Sequence, residues 1–83
     1  MKYIFEKEDL NPLLGKFLKH SNGHTIEMLS WQGPDSKEGR VFYLSQVNTD
    51  GWTYPIGEVK EATEFLNNNQ YTPLRREDVL KEN

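Results

Sequence analysis

Four consecutive residues, Val41-Phe42-Tyr43-Leu44, constrain this chain more than any other stretch. They belong to a run, Arg40 to Val47, rich in strand-favouring side chains, and side chains of a strand alternate between its two faces. A strand that is apolar on both faces needs cover on both. One side has to meet a core; the other has to meet a second layer or another molecule. With 83 residues the chain has room for one small domain, 1–83, and a core that buries about two-thirds of the unfolded surface. There is no cysteine to staple it, so neither disulfides nor thiolate metal sites contribute and packing has to suffice.

Turn signals flank that strand. Asn22-Gly23 separates Lys16-Phe17-Leu18-Lys19-His20 from Thr25 to Trp31, and Asn-Gly between such runs specifies a tight hairpin because both residues tolerate positive φ. Pairing then sets His20 against Thr25 and Phe17 against Met28. The stretch Gly33-Pro34-Asp35-Ser36-Lys37-Glu38-Gly39 has the composition of an exposed loop. Asn48-Thr49-Asp50-Gly51 suits a turn with a glycine bulge, returning the chain through Trp52-Thr53-Tyr54-Pro55-Ile56 as a second hairpin. Pro55 has no N–H for a ladder, which places this strand at an edge.

From Glu58 to Leu66 the period changes to that of a helix, with Val59, Ala62, Phe65 and Leu66 on one stripe, Gly57 as the N-cap, and Asn67 to Asn69 as the stop. Tyr3-Ile4-Phe5 reads as a short strand. Residues 12–20 fit two descriptions: a helix starting at Asn11-Pro12, or a strand near 16–20, which Gly15 favours. The tail, 71–83, is equally open: Thr72-Pro73 starts a short helix or lies within a strand from Tyr71 to Arg75. The fold class is therefore α+β, a small antiparallel sheet of four or five strands with a helix near 58–66 packed on it.

The two hairpins, Lys-Phe-Leu-Lys-His to Ile-Glu-Met-Leu and Val-Phe-Tyr-Leu to Trp-Thr-Tyr-Pro, resemble the curled meander of an SH3-like small barrel over residues 14–57. The resemblance is architectural and implies no particular function, since such barrels bind peptides, nucleic acid and other domains alike.

Chemistry-bearing patterns are sparse. His20 and His24 have the His-x3-His spacing of some metal sites, but Asn22-Gly23 breaks the backbone between them and Glu27 is the one nearby carboxyl, so no metal and no cofactor is expected. The serines lie in no nucleophile elbow, the glycines form no phosphate loop, and Glu6 with Glu8 or Glu77 with Asp78 sit in charged, solvated stretches; no enzyme is expected. The net charge is −3 and evenly spread, which lacks the basic footprint of a duplex-binding protein.

What remains is aromatic surplus. If Val47 pairs with Trp52, then Tyr43, Ser45, Val47, Trp52, Tyr54 and Ile56 share one face and Phe42, Leu44, Gln46, Thr53 and Pro55 the other; a glycine bulge shifts this by one. Either the helix covers the second face or it is exposed. The expectation is a non-catalytic protein-binding module, with Trp31, Tyr43, Trp52 and Tyr54 as anchors for an unidentified protein partner and Arg40 as the orienting group. A single-stranded nucleic-acid binder using the same rings with Arg40, Lys16 and Lys19 is the alternative, and a small enzyme a remote third. The N-terminus resembles no leader and no stretch spans a membrane, so the expected location is cytoplasmic; an edge strand offers a route to a homodimer.

Overall fold

The computed structural model describes residues 3–33, 39–48 and 51–79. Residues 34–38 and 49–50, to which the sequence assigns an exposed loop and a bulged turn, lie outside the described residues, as do 1–2 and 80–83.

Strands β1 (Phe17–Lys19), β2 (Ile26–Gln32), β3 (Val41–Gln46) and β4 (Thr53–Gly57) form an antiparallel meander, helix α1 (Val59–Asn68) follows, and β5 (Thr72–Pro73) returns to pair with β1. The sheet order is β4-β3-β2-β1-β5. The fold is the α+β arrangement expected, with five strands and one α-helix among the described residues. Both edge strands carry a proline, Pro55 in β4 and Pro73 in β5, which blunts the edges against pairing with another strand.

The first hairpin forms as its residues dictate. Phe17 lies opposite Met28, and the His20 N–H donates to the Thr25 carbonyl at 2.9 Å. The Asn22 side-chain oxygen accepts from the His24 and Thr25 N–H groups at 2.7 and 2.9 Å, while Gly23 takes φ +80°. Residues 12–20 resolve as turns up to Gly15 followed by β1.

The second hairpin is displaced by one residue from the Val47–Trp52 pairing. Ser45 faces Thr53, Leu44 faces Tyr54, and the Gln46 N–H donates to the Trp52 carbonyl at 2.8 Å. Asn48 supplies the reason. Its side chain accepts from the Ile26 N–H at 3.1 Å and donates to the His24 carbonyl at 2.5 Å, and the Val47 N–H donates to the Ile26 carbonyl, so both residues are tied to the first hairpin. Tyr54 consequently shares a face with Leu44, not with Tyr43. A bulge near the start of β3, where Tyr43 faces Pro55 but Phe42 faces Gly57, completes β4.

One face of the sheet carries the core. Leu18 of β1, Leu29 of β2 and Leu44 of β3 share this face, joined by Phe42 and Ile56, and are covered by Ala62 and Leu66 of α1, by Tyr71, and by Tyr3, Phe5, Leu10 and Leu13 of the N-terminal segment. Tyr3 to Phe5 is not a strand. Its partner is a side chain: the Phe5 N–H donates to Asn67 Oδ1 at 2.7 Å and Asn67 Nδ2 donates back to the Phe5 carbonyl at 3.0 Å. Asn67 thus mimics a strand backbone, something no alternation pattern signals.

The helix stripe is the one read from the sequence, but Glu58, not Gly57, is the N-cap. Gly57 instead turns the chain at φ +107°, where an added Cβ would stand 2.5 Å from that of Glu61. Gly57→Ala is expected to cost about 2 kcal/mol, from a backbone conformation that L residues rarely adopt plus the contact, measurable as a lower urea midpoint at unchanged slope. The tail takes the strand reading, shortened to β5, and no helix starts at Thr72-Pro73; a 3-10 turn over Arg76–Asp78 follows. Asp78 is buried rather than solvated, 3.3 Å from Arg75 Nε, while Glu77 remains exposed. No helix among the described residues is long and apolar enough to cross a membrane.

Candidate functional site

The five residues singled out in the sequence are distributed over four places. Trp31 is half-buried at the end of β2 with the Arg40 guanidinium 3.7 Å above its ring, and Arg40 Nη1 reaches Asn11 Oδ1 at 3.5 Å. Arg40 also lines a cleft of about 300 Å³ together with Lys7, Glu8, Asn11, Phe42 and Val59. A single carboxyl and no histidine line it. Tyr43 lies on the opposite face of the sheet. Trp52, just before β4, is 70% exposed. The basic groups do not gather: Lys19 pairs with Ile26 at one end of β2, and Arg40 adjoins Val41 at the other.

Tyr54 has a structural occupation. Strand alternation puts Glu27 in the row of Leu29 and Trp31, facing the core, where it is 1% exposed. Its carboxyl accepts from both phenols nearby: Tyr54 donates to Oε2 at 2.6 Å, and Tyr71 donates to Oε1. The two phenol oxygens are themselves 3.3 Å apart. Phe65 and His20 pack on the rings, His20 edge-on to Tyr71 at 4.9 Å between centroids. The group ties β2, β4 and the segment entering β5 together at one end of the core. The row of Glu27 with Leu29 and Trp31 is a signal visible in the sequence; that Tyr54 and Tyr71 complete it is not.

Burial, and after it the hydrogen bond to Glu27, pushes the Tyr54 phenol up to about 12, and the same causes raise Tyr71 further. A free phenol ionises near 10. Below pH 10 both stay protonated, folded or unfolded, and the associated stability is fully present. Above it the unfolded chain releases protons that the folded chain retains, so stability is lost as pH rises from 10 through 12. The melting temperature is expected to fall over that window, and phenolate absorbance to show part of the four tyrosines ionising only with unfolding.

The other sheet face is open. Phe17, Ile26, Met28, Ser30, Val41, Tyr43 and Ser45 occupy it, all half-buried, with Thr53 and Pro55 exposed at the β4 side. The Ser45–Thr53 hydroxyl contact of 3.0 Å lies across it. Helix α1 and the N-terminal segment pack on the Leu18–Leu29–Leu44 side, and no described residue outside the sheet belongs to a layer over this one. Lys19 is its one charged position; no acidic residue stands among the described face positions, although the chain has 13. In comparisons with protein-family models, with curated proteins and with solved structures, nothing matches the chain.

Proposed function

We propose that the chain is a non-catalytic protein-binding module of the cytoplasm whose contact surface is the open sheet face, with Tyr43 and Met28 at its centre. The observation that carries this reading is the charge-poor apolar patch left on one side of a sheet whose other side is fully used. Trp52 is exposed just before β4 but alternates with Tyr54 rather than with Thr53 and Pro55, so it stands apart from this face. Tyr54 leaves the set because its ring is packed on Phe65 and its hydroxyl is held by Glu27, and the Trp31–Arg40 stack stands apart from the face.

A photo-crosslinking residue placed at position 43 in the full chain tests it in the cells that express it. A discrete protein adduct is expected from position 43 and none from position 44, whose side chain is sealed in the core. No adduct above the position 44 background, or an adduct to single-stranded nucleic acid, overturns the reading.

A further inference from the structure

We infer that the open face receives a second copy of this chain, packed sheet on sheet about a two-fold axis running along the strands between β2 and β3. The inference rests on the open face being a contact surface and adds what occupies it. Its basis is the register. Across the two central rungs of β2 and β3, Met28 stands opposite Ser45 and Ser30 opposite Tyr43, so large and small side chains alternate there, with Gln32 opposite Val41 at the next rung.

Rotation about the stated axis exchanges the two strands while keeping each residue's height along them. Met28 of one copy then stands over Ser45 of the other, and Tyr43 over Ser30. One step outward, Phe17, level with Met28 on β1, falls over Thr53, level with Ser45 on β4. At these central positions each large side chain meets a small one, which is how facing sheets interdigitate, while Val41 falls over Gln32 at the outer rung, and the axis keeps the strands of the two sheets aligned as sandwich packing prefers.

Charge agrees with this occupant. A chain of net charge −3 repels its own copies in general, yet the described positions of this face hold no acidic residue and the two Lys19 lie toward the margin. Area sets the strength. Strands β1 to β4, about 4.8 Å apart and from about 10 Å (β1) to about 23 Å (β2) long, present about 350 Å² of flat sheet per copy. A pair covers about 700 Å² before side-chain relief is added, at the weak, transient end of protein contacts, so a weak, concentration-dependent dimer is expected. The proline-bearing edge strands make side-by-side pairing the poorer route.

Analytical ultracentrifugation of the purified full chain from about 1 µM to about 1 mM is the test, with dimerisation expected at a Kd on the order of tens of micromolar. Ser45→Glu and, separately, Ser30→Glu place a carboxylate under the partner's Met28 or Tyr43. Each is expected to raise Kd about 100-fold or more while the thermal melt of the dilute protein stays cooperative. A wild-type chain that remains monomeric at about 1 mM overturns the inference, as does a dimer that both variants leave intact. An adduct from position 43 to a different protein, with the purified chain monomeric, overturns the second copy but leaves the binding surface standing; absence of both removes the two together.

Discussion

Leu44→Ala is expected to destabilise the domain by about 3 to 5 kcal/mol, the range for a buried leucine whose cavity cannot collapse. Leu44 lies in β3, paired with Leu29 on one side and Tyr54 on the other, and is sealed beneath α1. Neighbouring strands hold the backbone on both sides, so little can move into the void. Stability on the order of 4 to 12 kcal/mol is usual for a chain of this length, so the variant forfeits a large share of it. Tyr43→Ala is the informative companion. One residue away but on the open face, it is expected to cost about 1 kcal/mol, since its side chain remains in partial contact with water. Urea unfolding of the two variants at a concentration where the chain is monomeric measures the difference directly; equal losses would mean that both faces are covered.

Glu27→Ala carries the second large effect, about 3 kcal/mol. The substitution strips the acceptor from two phenols at once, and Tyr71, 1% exposed, cannot turn to water for a substitute. A buried donor left without a partner costs about 1 to 3 kcal/mol, to which the vacated volume adds. Glu27→Gln keeps the shape and one acceptor oxygen, and is expected to recover about half of the loss. The distinguishing signature is optical. Without the acceptor, the Tyr54 phenol is expected to ionise at a lower pH than in the wild type while staying above the free phenol, because burial, the largest cause of its raised value, remains and only the hydrogen bond to Glu27 and that group's charge are gone. A Glu27→Ala protein of wild-type stability would show that the carboxyl binds nothing of consequence.

Local chemistry made much of this fold legible. Asn22-Gly23 fixed the first hairpin to the residue, though only Gly23 takes positive φ and Asn22 acts through its side chain, and Val59, Ala62, Phe65 and Leu66 marked the helix stripe, because turn chemistry and a 3.6-residue period are properties of neighbouring residues. Features that depend on distant partners were not legible. Asn48 moves the second hairpin by bonding to His24 and Ile26, and Asn67 replaces a strand for Phe5. Tyr54 was grouped with Tyr43 on the strength of a register that Asn48 overrules. The surplus of apolar side chains around Val41 to Leu44 was visible at once, whereas which face stayed open required knowing where α1 came to rest.

The clamp between Phe5 and Asn67 joins positions 62 apart in sequence. A chain that emerges N-terminus first holds its opening segment in reserve until the last turn of α1 is present, because only then does Phe5 find its amide. Early residues are thus among the last to settle, and the domain should acquire its native state in one late, concerted event rather than by accretion from the front.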